Sequence, residues 1–238
     1  MTTLRVLKSK SKIHNNLEYL ENNKLTTFIN PFSYLFLRKQ LSIFSRFDYI
    51  FLDGILMVLL MRLISKKVKR LSFDMTSIAP KVFNNALENR RSMFFLGSKQ
   101  NEIEDFVNQI KTKYQNLIIV GFSSGYFKSE DDKQRQINSI VGLNPDLIIV
   151  GMGTPLQEKF LLELRDKGWI GTGFTCGGFF HQTGKKINYY PKIFDRLNLR
   201  WVYRIYDEPK LFTRYFVQYP KSIVFFTFDL IKYYVKLR

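Results

Sequence analysis

The sequence predicts an α/β protein built on a Rossmann-like, mostly parallel sheet with helices on both faces. Three observations carry that expectation. Short, nearly unbroken runs of Ile, Leu, Val and Phe recur along the chain, segments with apolar residues at helical spacing separate them, and most runs close on glycine or Asp-Gly. Strands buried on both faces lose the in–out alternation of a half-exposed sheet, so continuous apolar runs between amphipathic helices mark a parallel, doubly covered one. At 238 residues the chain is long enough for a large core.

In chain order, Leu25 to Ile29 reads as a strand, Pro31 to Gln40 as a helix, and Tyr49 to Leu52 as a second strand leading into Asp53-Gly54. The apolar stretch Tyr49–Ile64 is broken by Asp53 and Arg62 and falls short of the roughly 20 residues that span a bilayer. Its helical part, Leu56 to Ile64, fits core, subunit interface or membrane contact equally. Met93 to Leu96 is the next strand, closed by Gly97-Ser98, and Asn101 to Tyr114 a helix with Ile103, Phe106, Val107 and Ile110 on one face. Leu117 to Val120 follows as a strand ending at Gly121, then a polar helix over Asp131–Val141. The strand Leu147–Val150 ends in Gly151-Met152-Gly153, and Pro155 stands where an N1 proline opens a helix to Asp166.

Composition changes after residue 185. Lys185 to Arg238 holds 12 Lys+Arg against 4 Asp+Glu and fifteen aromatics, and so carries nearly half of the +17 net charge. This divides the chain into an α/β core, 1–185, and a basic, aromatic, helical appendage, 186–238. The last segment, Tyr219 to Arg238, spaces Ile223, Phe226, Leu230, Tyr233, Tyr234 and Leu237 as a helix, with Lys221, Lys232 and Lys236 elsewhere on the wheel. A basic, well-cored chain suits a polyanionic partner: nucleic acid, an anionic membrane or phosphorylated substrates. The single cysteine, Cys176, excludes a disulfide framework and fits a reducing cytoplasmic compartment. With only His14 and His181 besides, no metal site is expected, and the basic start lacks the apolar core of a secretory signal.

Ligands of open α/β sheets sit at the carboxyl ends of the strands, where glycine turns and helix starts offer N–H groups to phosphate. Asp53-Gly54, Gly97, Gly121 and Gly151-Met152-Gly153 all fall at such ends and favour a nucleotide-type ligand, although neither GxGxxG nor GxxxxGK[ST] is present. Asp53, between two apolar runs, reads equally as a desolvated general base and as the N-cap of the next helix. Gly151 and Gly153 let a ligand approach the backbone. Glu158 in the first helical turn can simply offset the helix dipole, which leaves Gln157 as the better polar contact. In the appendage Arg204 and Arg214 are ten residues apart, close to three helical turns, and could share a face if that stretch is helical. Guanidinium forks there would bind diphosphate. Cys176 and His181 read as structural.

Together these motifs resemble the WecG/TagA/CpsF glycosyltransferase family (glycosyltransferase family 26). The blocks that carry the resemblance are Asp53-Gly54, Gly151-Met152-Gly153-Thr154-Pro155-Leu156-Gln157-Glu158, Gly177-Gly178-Phe179-Phe180, and Leu199 to Arg204 with Glu208-Pro209 and Arg214. The resemblance implies metal-independent, inverting transfer from a UDP-sugar to an undecaprenyl-diphosphate-linked saccharide in cell-surface polysaccharide synthesis, with no cofactor. The enzyme would be peripherally attached to the anionic cytoplasmic face of a bacterial membrane; nucleic acid is not implied as a partner, and a homo-oligomer stays open. It implies Asp53 as base, Asn30 as an acceptor-pocket residue, Gln157 as the motif glutamine, Gly125-Tyr126-Phe127 near the nucleotide, and Arg204 and Arg214 over its diphosphate. Arg70 to Asp74 stand where the family has R-V-T-G-S-D, one residue shorter and without glycine, and both ends of that stretch join the candidate site. Phe28 replaces a threonine two residues before Asn30, and Tyr189-Tyr190-Pro191 replaces Arg-Ala-Pro; these changes suggest a branch with a different donor or acceptor sugar. Two other classes fit the charge: a basic α/β nucleic-acid-binding protein, although no RNP1-like or helix-turn-helix signature occurs, and a non-catalytic membrane scaffold.

Overall fold

The computed structural model describes residues 2–11, 18–197 and 199–235; His14, and the Lys236–Arg238 end of the last expected helix, lie outside them. Six strands form one wholly parallel sheet: β1 (Leu25–Ile29), β2 (Tyr49–Leu52), β3 (Ser92–Gly97), β4 (Ile118–Ser123), β5 (Leu147–Gly151) and β6 (Thr172–Thr175), in the order β2-β1-β6-β5-β3-β4. Successive side chains alternate between two apolar clusters, so β5 sends Ile148 and Val150 to one and Leu147 and Ile149 to the other. This is why its run reads as continuously apolar.

The first face is covered by α1 (Thr3–Lys10), α2 (Pro31–Lys39), α3 (Leu41–Phe44), α4 (Ile55–Arg62), α7 (Glu130–Leu143) and α8 (Leu156–Asp166). The second carries α5 (Ala79–Glu88), α6 (Gln100–Lys113) and α9 (Phe179–Lys185). All four apolar residues assigned to the face of α6 are buried. In α4 Met57, Val58 and Met61 are buried while Leu59 and Leu63, just past its end, are more than half exposed.

Beyond residue 185 the chain runs through α10 (Lys192–Arg196), α11 (Arg200–Asp207), a 3-10 turn at Pro209–Leu211, a π-helical stretch at Arg214–Gln218 and α12 (Tyr219–Val235). Arg204 and Arg214 therefore do not lie on one helix. The π stretch runs straight into α12, which lies across α1 and α2. Asp229 accepts two bonds from Arg38, at 2.5 and 3.0 Å, and one from the Tyr34 hydroxyl at 2.6 Å. Lys8 bonds the Tyr233 hydroxyl at 2.8 Å.

Two readings of the sequence are corrected, and one strand is added to it. Gly121 lies inside β4, not at its end, and is glycine because a Cβ there would strike the Phe94 ring across the sheet. Pro155 is the N-cap of α8 and not its first residue. And β6, near the middle of the sheet, had no apolar run to announce it.

Candidate active site

The carboxyl ends of β1, β2, β5 and β6 open into one cavity of about 440 Å³, roofed by α11 and the start of α12. Asn30, Asp53, Arg70, Asp74, Gln157 and Arg204 all line it. Asn30 is the N-cap of α2: its Oδ1 accepts from the Ser33 N–H at 3.0 Å while Ser33 bonds back to the Asn30 N–H at 2.8 Å. That reciprocal box fixes the side chain and leaves its amide NH2 available to a ligand.

Asp53 follows β2, held through its backbone N–H to the Ile29 carbonyl at 2.9 Å. It does not cap the next helix; Gly54, at φ +84°, occupies that position. The carboxylate is half-buried in the cavity wall and accepts no hydrogen bond from a described residue. Burial pushes its pKa up and the Asp74 carboxylate adds to this, against Arg200, Arg70 and Arg204. A desolvated carboxylate with free lone pairs and a raised pKa has the properties of a general base.

The segment 70–74 lies beside β2, bridged at Leu52–Arg70 and bonded from the Leu71 N–H to the Leu52 carbonyl at 2.9 Å. Its last residue is already committed. Asp74 accepts from Ser72, from the Thr76 N–H and hydroxyl at 2.8 and 2.7 Å, and from Arg200 at 2.6 Å. Arg200 also bonds Thr76 and lies over the Tyr190 ring, 4.8 Å from its centroid. Asp74 thus ties the appendage to the core, with no lone pair left for substrate. Arg204, one turn on, pairs with Glu208 at 2.8 Å and reaches over Gly178 at the end of β6. Its Nε is buried with no partner among the described residues. A desolvated guanidinium with an unused donor is an anion site.

Gln157 and Glu158 differ from their sequence reading. Gln157 lines the cavity, yet its carbonyl accepts from the Gly177 N–H at 3.1 Å and its amide donates to Glu158 at 3.1 Å, so it fastens the β6 turn to α8. Glu158 is fully buried. One oxygen accepts from Thr27 at 2.8 Å, Thr154 at 3.2 Å and Gln157; the other has no partner among the described residues. Burial pushes its carboxyl pKa up. Thr175 bonds Thr27 at 3.0 Å and completes a polar brace under the cavity floor, well removed from dipole compensation at a solvated helix start.

The remaining candidates lie outside the cavity lining. Gly97, Gly125 and Gly151 are places of close approach: a Cβ on any of them would collide with a neighbouring loop, Gly97 with Gly151, Gly125 with Gly97 and Met152, Gly151 with Cys176 and Phe180. Gly153 adopts φ +75°. Tyr126 is 73% exposed, and Phe127 stacks on Phe160 at 5.9 Å. Arg214 lies over the Phe32 ring at 4.3 Å. Conversely, the two departures noted in the sequence, Phe28 and Tyr190, both line the cavity; the departures themselves were the signal for them. Arg200 stands in the sequence with Arg204 and Arg214 among the aromatics of the appendage, but nothing there pointed to Asp74 as its partner.

Among the described residues one group could approach a metal ion, His181, Asp207 and Glu208, with ligand atoms within 4.8 Å of one another. Each already has a partner: His181 Nδ1 with Glu102 at 2.8 Å, Asp207 with Lys185 at 3.0 Å and Tyr189 at 2.5 Å, Glu208 with Arg204. The group acts as an ion-paired seam between α9 and α11.

A model of the WecG/TagA/CpsF glycosyl transferase family matches residues 3–236. The chain is 40% identical over 222 residues to a UDP-Gal:alpha-D-GlcNAc-diphosphoundecaprenol beta-1,4-galactosyltransferase of Shigella boydii, covering 91% of this chain and 93% of that one. It is 26% identical over 211 residues to an N-acetylglucosaminyldiphosphoundecaprenol N-acetyl-beta-D-mannosaminyltransferase of Bacillus subtilis strain 168, covering 84% and 80%. The enzyme of the same description from Bacillus spizizenii is 27% identical over 209 residues, covering 84% and 79%.

Proposed function

Since the chain belongs to the WecG/TagA/CpsF glycosyltransferase family, we propose that it moves a hexose, galactose first, from its UDP conjugate to a sugar on undecaprenyl diphosphate. The 40% identity to the galactosyltransferase over nearly both full lengths carries the choice of donor and acceptor. The cavity supports the chemistry: Asp53, with raised pKa and free lone pairs, faces the same space as Arg204. Asp53 takes the proton of the acceptor hydroxyl as that oxygen attacks the anomeric carbon; the C–O bond to UDP breaks and the configuration inverts. A β-linked product from an α-linked sugar nucleotide requires that inversion. Arg204, whose Nη atoms lie over Gly178 and whose Nε has no partner among the described residues, takes the charge that builds on the leaving diphosphate, which is the work a divalent cation does elsewhere. Asn30 holds the acceptor from the start of α2, and the floor brace of Glu158, Thr27 and Thr175 keeps the strand ends in register.

The enzyme works at a membrane surface. No described helix is long and apolar enough to cross a bilayer. Yet α12 buries Ser222, Phe226, Asp229 and Tyr233 and turns Val224, Phe228, Ile231 and Val235 outward, each more than half exposed. Tyr234 bonds the Leu63 carbonyl at 2.8 Å and so brings this face beside Leu59 and Leu63 of the α4 region. Such a face with lysines at its borders suits the interfacial layer of an anionic bilayer.

Transfer is measured with a panel of UDP-sugars and α-GlcNAc-diphosphate on a short prenyl chain, with and without EDTA. The expected result is transfer from UDP-galactose, β-linked in the product and unchanged by EDTA. An α-linked product would end the inverting mechanism, and loss of activity in EDTA restored by a divalent ion would end metal independence.

A further inference from the structure

The hydroxyl proton of Thr154 is already placed. Oε1 of the fully buried Glu158 accepts from Thr27 at 2.8 Å, from the Gln157 amide at 3.1 Å and from Thr154 at 3.2 Å. The Gln157 carbonyl takes the Gly177 N–H at 3.1 Å, so its nitrogen is the end that meets Glu158, and it can only donate. Thr27 donates to Glu158 and therefore accepts from Thr175 at 3.0 Å; both threonines are fully buried, out of reach of solvent. A threonine oxygen carries one proton and two lone pairs. In Thr154 the proton goes to Glu158 and one lone pair receives a Gln157 N–H at 3.4 Å, which leaves one lone pair. Thr154 is half-buried and lines the cavity, so a ligand meets it as an acceptor.

Position selects the ligand group. The strand ends follow one another across the sheet as β2, β1, β6 and β5, with neighbours about 4.8 Å apart. Asp53 follows β2 and Asn30 follows β1. Gly178, shortly past β6, lies beneath the Arg204 guanidinium, and Thr154 stands shortly past β5. Gln157 joins these last two, bonded to the Gly177 N–H on one side and to Thr154 on the other. With Arg204 on the donor diphosphate, the hexose bonded to that diphosphate lies within a ring's width of the β6 end. The β1 side of β6 belongs to Asn30 and the acceptor. The β5 side, with Thr154, is left for the hexose.

We propose that Thr154 accepts a hydrogen bond from one hydroxyl of the hexose carried by UDP, and that Glu158 is the positioning residue that keeps this threonine an acceptor. The inference deepens the reading of the cavity as a transferase site and rests on it. A sugar hydroxyl satisfies such an oxygen, whereas a group that can only accept meets a facing lone pair. Thr154 is thus a specificity-determining residue for the donor sugar, and the Glu158 brace does more than keep the strand ends in register.

The test uses the full chain, Thr154→Val and Thr154→Ser, titrated calorimetrically with UDP, UDP-galactose and the 2-, 3-, 4- and 6-deoxy and deoxyfluoro analogues of UDP-galactose. In the wild type, loss of one particular hydroxyl should weaken binding about fivefold, the typical effect of a neutral hydrogen bond. Fluorine at that carbon should restore nothing, because it accepts without donating and Thr154 has no proton to give. Thr154→Val should weaken UDP-galactose binding about fivefold, and in that variant the same deoxy substitution should cost nothing. Thr154→Ser should behave as the wild type. UDP should bind all three proteins equally, which also shows that the variants are folded. In the transfer assay Thr154→Val should raise the donor KM and leave the acceptor KM unchanged. A fluoro analogue that binds as well as UDP-galactose where the deoxy analogue does not would make Thr154 a donor and overturn the assignment. A raised acceptor KM with unchanged donor titrations would place the threonine against the acceptor and overturn it too, as would deoxy effects that are the same in Thr154→Val as in the wild type at every position. The titrations need no turnover, so failure to transfer from UDP-galactose while the coupling to Thr154 holds would fault the galactosyl-transfer reading alone.

Discussion

Asp53 is where residue chemistry and stability pull in opposite directions. Its folded pKa is raised, so its neutral form is favoured by folding. That contribution is complete at low pH and is lost as pH rises through the folded pKa; at neutral pH the ionised carboxylate costs stability. Asp53→Asn should therefore melt higher than the wild type at neutral pH, with the gap closing below the ordinary carboxylate pKa of about 4. The same substitution should lower kcat by about a hundredfold or more while UDP still binds, since proton abstraction is lost and the diphosphate contacts are not. In the wild type the acidic limb of kcat/KM should lie above the usual carboxylate range. Near-normal turnover in Asp53→Asn would remove the residue from its role. The sequence left Asp53 evenly between a desolvated base and a helix cap; the structure gives the cap to Gly54 and sets Asp53 in the cavity wall. The place of Glu158 was not legible: a glutamate in a first helical turn is ordinarily solvated, and only the arrival of Thr27 from β1 and Thr154 from the β5 turn shows it to be buried and bonded.

At the scale of elements, legibility followed side-chain type. Strands β1, β2, β3 and β5 appeared as apolar runs; β6, Thr172-Gly173-Phe174-Thr175, did not, although it is buried throughout. Its position is crowded: a Cβ at Gly173 would meet Leu25 and Leu161, so a bulkier strand would not fit between β1 and β5. The wheel of α12 was half legible. Phe226 and Tyr233 face inward as their spacing required, but Ile223 is exposed and the inward face is completed by Ser222 and Asp229, because the anchor is the bidentate Arg38–Asp229 pair with Tyr34. Asp229→Ala should cost about 2 kcal/mol, less than a wholly buried pair since Arg38 keeps some solvent access, and lower the thermal midpoint by about 4–8 °C. Replacing the pair together, Arg38→Met with Asp229→Leu, should recover most of that loss by removing the stranded charge along with its partner. Denaturation followed by circular dichroism decides it; a single variant that melts with the wild type would mean that α12 is held by Phe226 and Tyr233 alone.

For the whole molecule, the membrane attachment proposed above would give the +17 charge and the outward face of α12 one partner, an anionic bilayer. Attraction between lysines and an anionic leaflet amounts to about 1 kcal/mol per residue near the surface and fades within a Debye length, about 10 Å at 0.1 M salt. Alone it gives weak, salt-sensitive adsorption. Apolar insertion does not share that sensitivity, and Phe228 and Ile231, 55% and 57% exposed on a helix anchored to the core from its other side, are placed to supply it. The two contributions therefore separate by experiment. The full chain should sediment with phosphatidylglycerol vesicles and much less with phosphatidylcholine, and higher salt should weaken the binding without abolishing it. Phe228→Asp with Ile231→Asp should leave only the salt-sensitive part, so that binding disappears at about 0.5 M salt, where the Debye length is roughly 4 Å. Neither residue lines the cavity, so transfer to a short-chain, detergent-dispersed acceptor should continue while transfer to acceptor embedded in vesicles falls. If the double variant binds vesicles as the wild type does at every salt concentration, the outward face of α12 is not the membrane contact, and the exposed apolar residues need another partner.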